Sequence, residues 1–241
     1  MSMNIRPYII INGVNSQTIQ GLLISSLAPV SKPPIRIKTE TIDGRDGDIV
    51  TPLGYGAYDK TIEIGLTYDY NIDDVISFFN TSGKIIFSNE PEYYYKFAIY
   101  KQIDFNRLIR FRKAKVTLHV QPFKFSDTET QKSFDTSSGA QITIRNNGNI
   151  YSKPTITLTG VGTTNVYLND IQILTVNFGN TGQTIIINAE DMNAYSEDGI
   201  LLNRLISGDY DNIQLKQGSN TIRFVNGYVS EVLIDNYSRW I

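Results

Sequence analysis

Apolar and polar residues alternate along much of the chain, and this period of two predicts a mainly β protein. The clearest example is the segment 61–68, in which every second residue is apolar and one face of the strand is expected to be buried. The members of that face are Ile62, Ile64, Leu66 and Tyr68. Tyr8–Ile11 followed by Asn12-Gly13 predicts a strand that enters a tight hairpin turn, because this dipeptide tolerates positive φ angles. Further strands are predicted at 35–42, 84–87, 93–100 and 112–121.

One segment, 71–80, has the period of a helix instead. Its apolar residues fall at i, i+3, i+4 and i+7 and predict a single buried stripe, made by Ile72, Val75, Ile76 and Phe79. Asn71 is a suitable N-cap, and Gly83 is expected to end the helix. The connection 104–112 is predicted to be a loop, and its three arginines form either a solvated cluster or a contact surface. These are Arg107, Arg110 and Arg112.

The composition changes at 126–140, which is polar and predicts a linker between two domains. We place the boundary between residues 130 and 131. Beyond it, short apolar runs separated by Gly and Asn every 8 to 12 residues or so predict an antiparallel sandwich. The glycine-containing segments 160–162 and 179–182 are predicted to be turns between strands, and further strands are predicted at 200–205 and 213–216.

Bulk composition limits the classes of function. The net charge is −2, so no overall basic field favours a dedicated nucleic-acid binder. The chain has no cysteine, which removes disulfides, thiolate nucleophiles and thiolate metal sites. No apolar run approaches the roughly 20 residues of a membrane span, and the first residues lack a signal-peptide pattern. A soluble protein is therefore expected.

Candidate catalytic and metal-binding residues are few. His119 is the only histidine and alternates with apolar neighbours as an ordinary strand residue. The aspartates of 43–48 lack the ligand spacing of a calcium loop, because Val50 occupies a ligand position. The pairs Glu190-Asp191 and Glu197-Asp198 are interpreted as solvated turn residues, with glycoside hydrolysis through Glu190 or Glu197 as the enzymatic alternative. No catalytic residue, metal site or cofactor is predicted.

Several motifs in a fixed order give a resemblance to a known family. In the first half they are Asp43-Gly44-Arg45-Asp46-Gly47, the helix from Asn71, Phe87-Ser88-Asn89-Glu90-Pro91 and Gln121-Pro122-Phe123-Lys124-Phe125. In the second half they are Asn147-Gly148-Asn149, Gly208-Asp209-Tyr210, Gly218-Ser219-Asn220-Thr221-Ile222 and Arg239-Trp240-Ile241. Together they resemble the distal tail proteins of long-tailed bacteriophages.

The resemblance implies a fold and a function. Residues 1–130 are expected to form a split-barrel-like β domain with one short helix that assembles as a hexameric ring. Residues 131–241 are expected to form a galectin-like antiparallel β-sandwich. The implied role is a non-enzymatic hub at the virion tail tip, made in the host cytoplasm from a phage or prophage genome. Its partners are the tail tube protein, a tail-tip or tail-associated protein and, as a further candidate, a receptor-binding protein, while DNA only passes through the ring and no membrane is bound.

Contacts between subunits are expected to come from edge strands and loops of the first domain. The segment Asp43 to Tyr58 is the candidate, with seven named residues: Asp43, Gly44, Arg45, Asp46, Gly47, Tyr55 and Tyr58. The alternative function, from a different class, is host adhesion, in which residues 141–241 recognise a saccharide or hold a receptor-binding protein.

Overall fold

The computed structural model describes residues 6–135 and 141–241. The chain divides into two compact units, Met1–Asp127 together with Ile241, and Thr128–Trp240. Each unit has a hydrophobic core of its own. The division falls at 127/128, three residues before the position inferred from composition.

The first unit contains nine strands and two helices among its described residues. In chain order the strands are β1 (Ile9–Ile11), β2 (Val14–Asn15), β3 (Leu22–Ser26), β4 (Ile35–Thr41), β5 (Asp48–Tyr55), β6 (Tyr58–Leu66), β7 (Ser82–Phe87), β8 (Tyr93–Ala98) and β9 (Lys113–Ser126). The helices are α1 (Ile72–Phe79) and α2 (Phe105–Phe111). Seven strands form an antiparallel sheet in the order β2-β1-β7-β8-β9-β6-β3, whereas β4 and β5 form a separate two-stranded sheet.

The alternation of apolar residues correctly predicted the main strands of this sheet. Ile62, Ile64 and Leu66 are all buried on the core face of β6. Tyr68 was wrongly assigned to that face, since β6 ends at Leu66 and the Tyr68 side chain is 95% exposed. The chain leaves the sheet at Thr67, whose backbone N–H donates to the Gly21 carbonyl oxygen.

Helix α1 begins where the sequence predicted, with the Asn71 side chain accepting a hydrogen bond from the Asp73 N–H. Its buried stripe is Val75, Phe78 and Phe79, so the predicted stripe was only partly correct. Phe78 and Phe79 pack edge to face at 5.0 Å, and this places Phe78 inward while Ile76 stays exposed. Gly83 does not end the helix, because Asn80 is the C-cap and Gly83 already lies in β7.

The prediction of a single helix was wrong, because the segment 105–111 forms α2 rather than a loop. Asp104 caps its start by accepting from the Arg107 N–H at 2.8 Å, and Arg112 ends it in the left-handed conformation at φ 58°. Leu108 is fully buried and attaches the helix to the core. With only seven residues, the helix is too short to give a strong periodic signal.

The described residues of the second unit form eight strands: β10 (Lys132–Asp135), β11 (Gln141–Asn146), β12 (Thr155–Leu168), β13 (Ile171–Asn188), β14 (Asn193–Tyr195), β15 (Ile206–Gly208), β16 (Gly218–Val225) and β17 (Tyr228–Asp235). One layer has the order β10-β17-β12-β13-β14, and the other has the order β11-β16-β12-β13-β15. The long strands β12 and β13 contribute to both layers and enclose one core. This is the antiparallel sandwich that the sequence predicted.

The segments 160–162 and 179–182 are bends inside continuous strands, so the prediction of turns there was wrong. A Cβ at Gly160 would lie 2.6 Å from the Tyr228 carbonyl oxygen and 2.9 Å from the Phe178 ring, so only glycine permits this close approach. The pairing register between β12 and β13 shifts at the same place. Sequence composition alone does not distinguish such a bend from a turn.

The strands predicted at 200–205 and 213–216 are also absent. A 3-10 helix lies at Asn203–Leu205 in the first segment, and another, Tyr210–Asn212, ends just before the second. In the first segment a local bond runs from the Leu205 N–H to the Leu202 carbonyl oxygen at 2.8 Å, whereas in the second Leu215 makes an isolated β-bridge with Ser152.

The predicted linker at 126–140 is partly structured. Residues 132–135 form β10, which pairs with β17, and Glu129 Oε1 accepts a hydrogen bond from the Ser238 N–H at 3.1 Å. A polar segment thus pairs with the sandwich through backbone bonds, which require no apolar side chains. Residues 136–140 of the predicted linker lie outside the described residues.

The pH dependence of stability is expected to change in Glu129→Gln. Burial raises the pKa of the Glu129 carboxyl, so its contribution to stability is fully present below the ordinary pKa and is lost as pH rises through the raised value. Glutamine keeps the acceptor for Ser238 without the buried charge. The variant should melt higher than wild type at pH 7, and the difference should vanish towards pH ~4.5. Thermal melting across this range tests it, and parallel profiles would contradict it.

Candidate assembly surface

The segment chosen from the sequence is a hairpin that stands apart from the main sheet. Strands β4 and β5 pair from Ile35↔Tyr55 to Thr41↔Asp48. Within the described residues, no other strand joins this pair. Every residue of β4 is exposed. Because an isolated two-stranded hairpin is marginally stable in water, a partner surface is expected to support it.

The hairpin has two chemically different faces. Residues that lie opposite each other in an antiparallel pair point to the same side. One side therefore carries the pairs Ile35↔Tyr55, Ile37↔Pro52 and Thr39↔Val50, and we call it the apolar face. The other side carries Arg36, the ion pair of Lys38 and Glu40, Thr51 and the half-buried Ile49. Ile37 and Val50 are 53% and 55% exposed, which is unusual for large apolar side chains at neighbouring positions.

Five of the seven candidate residues form the end of this hairpin. Residues 43–47 are the turn between β4 and β5, and all five are exposed. The Arg45 N–H donates to the Ile42 carbonyl oxygen, and the Thr41 hydroxyl donates to Asp48 Oδ1 at 2.9 Å. Gly44 and Gly47 have φ angles of 80° and 75°, which explains glycine at both positions. We call residues 43–48 the tip.

The other two candidates, Tyr55 and Tyr58, lie at the base of the hairpin and not at its tip. The Tyr55 ring packs edge to face on Phe123 at 5.3 Å. The Tyr58 hydroxyl donates to the Ser31 carbonyl oxygen at 3.4 Å, and burial raises the pKa of Tyr58. Both tyrosines therefore attach the hairpin to its own domain, whereas the tip extends away from this attachment.

A buried lysine that the sequence did not single out also fixes the base. Lys60 is 3% exposed, and its Nζ donates to the Pro29 carbonyl oxygen at 2.8 Å, in the segment that leads into β4. The ammonium lies 5.0 to 5.7 Å from the centroids of three rings, those of Tyr58, Phe87 and Tyr95. Burial lowers the pKa of Lys60, while the charge of Glu90 opposes this effect.

The motif 87–91 quoted above supplies further bonds to the same base. Asn89 Nδ2 donates to the Ala28 carbonyl oxygen at 3.2 Å. Glu90 accepts from the Tyr95 hydroxyl at 2.8 Å and pairs with Lys124 at 2.6 Å. The bonds to Ala28 and Lys124 join residues far apart in sequence, which no local pattern brings together.

The arginines that were interpreted as a loop cluster lie on or next to α2. Arg107 and Arg110 are exposed on the helix, and Arg112 follows its last turn. The Arg112 guanidinium lies 4.8 Å from the Tyr70 ring and 5.4 Å from the Tyr68 ring, and it donates to the Thr67 carbonyl oxygen at 3.0 Å. The three arginines are therefore carried by a helix and the residue that ends it, and not by an irregular loop.

The residues considered for catalysis have structural partners. His119 Nδ1 lies 2.9 Å from Asp59 Oδ1 on the neighbouring strand. Glu190 lies exposed in a turn, as predicted, and its carboxylate also pairs with Nη1 of the buried Arg239 at 2.8 Å. Arg239 also donates from Nε to the Tyr151 carbonyl oxygen. Glu197 and Asp198 are exposed, as predicted.

The described parts of the chain contain no group of three or more His, Cys, Asp or Glu side chains that could hold a metal ion. Neither α1 nor α2, nor any other helix within 6–135 and 141–241, is long and apolar enough to cross a membrane.

Comparison with known proteins gives a match at the level of the fold. No protein-family model matches the chain, and no curated protein matches it. The crystal structure of SPP1 Dit (gp 19.1), described as a paradigm of the hub adsorption apparatus in phages that infect Gram-positive bacteria, superposes with a TM-score of 0.66 at 18% identity. That match covers 98% of this chain and 99% of the other. The phage P2 baseplate in its activated conformation with Ca gives a TM-score of 0.47 at 10% identity, over 95% and 97% of the two chains.

The likeness to SPP1 Dit confirms the mainly β fold that the resemblance implied. The match extends over almost the full length of both chains. It therefore includes both compact units and is not limited to one shared domain.

Proposed function

We propose that this chain is a distal tail protein, the structural hub of a phage tail tip. Six copies form a ring that joins the tail tube to the tip or baseplate proteins, and DNA passes through its centre. The full-length likeness to SPP1 Dit is the observation that carries this proposal. The role requires protein contacts and no catalytic chemistry, in keeping with the structural partners of His119 and Glu190.

The first unit is proposed to form the ring through its hairpin. Each apolar face would cover exposed side chains by packing on a neighbouring copy, which supplies the support that an isolated hairpin lacks. The bonds from Tyr58, Lys60 and Asn89 fix the base and so define the direction of the hairpin before assembly. A pre-organised element loses less entropy when it binds.

The second unit offers a surface for the adhesion alternative. Gln141, Arg223, Tyr167 and Gln172 lie side by side across four neighbouring strands. The Arg223 guanidinium lies 4.4 Å from the Tyr167 ring, and the Tyr167 hydroxyl donates to Gln172 Oε1 at 3.3 Å. Such a row of amide, guanidinium and hydroxyl groups suits a saccharide or a polar protein surface, and saccharide binding by a strictly monomeric chain would favour this alternative.

Negative-stain imaging of the purified chain, alone and mixed with the tail-tube and tip proteins of the same genome, tests the hub proposal. Six-fold rings with a central opening are expected in at least one of these samples. Glycan-array screening of the same preparation distinguishes the alternative.

A further inference from the structure

We propose that the tip of one copy docks on the surface around α2 of the next copy in the ring. This inference rests on the proposed ring and specifies which two surfaces meet. The receiving surface, called the α2 patch, consists of Tyr68, Arg107, Ile109, Arg110, Phe111 and Arg112.

The α2 patch combines exposed apolar groups with fixed positive charge. Tyr68 is 95% exposed and Phe111 is 64% exposed, and Ile109 of the same helix is exposed as well. The Arg110 guanidinium lies 5.4 Å from the Phe111 ring, and Arg112 lies over Tyr68 at the same distance. Aromatic residues and arginine are enriched at protein interfaces and among the residues that contribute most to binding.

The charges of the two surfaces are complementary. The tip carries Asp43, Asp46 and Asp48 against a single arginine, Arg45. The α2 patch carries three arginines and no acidic residue. Charge complementarity of this kind accelerates association and selects the correct neighbour. The apolar face of the hairpin begins next to the tip. Like the exposed rings of the α2 patch, it carries apolar side chains that a neighbouring copy would cover.

The positions of the two surfaces fit a head-to-tail contact. Strands β6 and β9 pair from Tyr58↔Val120 at one end to Gly65↔Lys113 at the other. The base of the hairpin joins β6 at Tyr58, and α2 leads into β9 at Lys113, so the base and α2 lie at opposite ends of the same strands. With nine residues, β6 separates the hairpin base from α2 by about 27 Å. Contacts between different surfaces of successive copies generate a ring when the rotation closes.

A second basic site provides a control. Lys84 and Lys96 lie directly opposite each other on β7 and β8, over the rings of Tyr94 and Phe125. The two lysines are exposed, whereas Tyr94 is buried and Phe125 is half-buried, so this site offers charge with little exposed aromatic surface.

Site-specific cross-linking tests the contact. Because the sequence contains no cysteine, only the introduced cysteines can react. Ile42→Cys beside the tip and Asn106→Cys on α2 change two exposed positions and keep every charge. When both substitutions are made in the same chain, a short bismaleimide should join the cysteine at position 42 of one copy to the cysteine at position 106 of the next and give a ladder of covalent oligomers. Ile42→Cys with Thr61→Cys, an exposed position in the middle of β6, should not. Dominant cross-linking of Ile42→Cys to itself, or equal ladders in both variants, would overturn the inference.

Charge reversal provides an independent test. Asp43→Lys with Asp46→Lys, and separately Arg107→Glu with Arg110→Glu, should each raise the concentration needed for half-assembly at least about tenfold. Combining all four should restore assembly, whereas Lys84→Glu with Lys96→Glu should leave it unchanged. Rings that persist unchanged after arginine reversal, or that are not restored in the combined variant, contradict the docking and leave the hub proposal intact.

The measurement is made on whichever sample assembles, the chain alone or the chain with the tail-tube and tip proteins. If no sample oligomerises, both the docking and the proposed ring fail. Circular dichroism melting of each variant confirms that the single chain still folds.

Discussion

Val50→Asp is expected to abolish ring assembly and leave the single chain folded. Val50 is 55% exposed on the apolar face, so the free chain tolerates a charge there at little cost. In the assembled ring the carboxylate would lose water without a partner, at a cost of roughly 2–4 kcal/mol per contact. This weakens each association step by about 30- to 1000-fold. Mass photometry over a concentration series measures the loss.

Thr51→Asp is the matched control for this prediction. It introduces the same charge one residue later on the same strand, but on the opposite face and beside Lys38. Assembly is expected to stay close to wild type. Equal loss of rings in both variants would show that the face of the hairpin does not matter, and normal assembly of Val50→Asp would remove the apolar face from the interface.

Gly148→Ala is expected to destabilise the second unit by about 3 kcal/mol or more, because its Cβ would overlap the Arg239 carbonyl oxygen. The backbone carbon and nitrogen of Arg239 also lie within 2.8 Å of that position, so no flexible side chain relieves the clash. For a domain of this size the melting temperature should fall by about 10 °C or more. Calorimetry measures the shift.

Asn147→Ala is the control, since only its backbone N–H is used, in a bond to Ser238 Oγ at 2.9 Å. It should melt within a few degrees of wild type. Rings formed by the first unit should survive in both variants. A Gly148→Ala chain with unchanged melting would mean that the segment around Arg239 does not pack on this turn.

The sequence predicted elements best where a strand covers its own core. The alternation in β6 identified Ile62 and Ile64 correctly because both are buried beneath the same sheet. The similar pattern in β4 predicted a strand but not its exposure. Alternation reports that one face is apolar, and it does not report whether the chain itself or another copy covers that face.

Features that depend on tertiary contacts were missed. Lys60 and Glu90 are surface residues by type, and only the folded chain brings the first beneath three aromatic rings and the second against Lys124. Helix α2 has only seven residues and gave no clear helical periodicity. Gly160 was predicted to lie in a turn because glycine occurs in both turns and strand bends. The candidate contact residues 43–47 form an exposed tip, but their role in assembly stays a prediction.

The mass of the native particle tests the central claim most directly. Native mass spectrometry of the chain, alone and with the tail-tube and tip proteins, should show a species of six copies of the 27.2 kDa chain. A chain that remains monomeric in every mixture, at concentrations where its partners assemble, would contradict the hub.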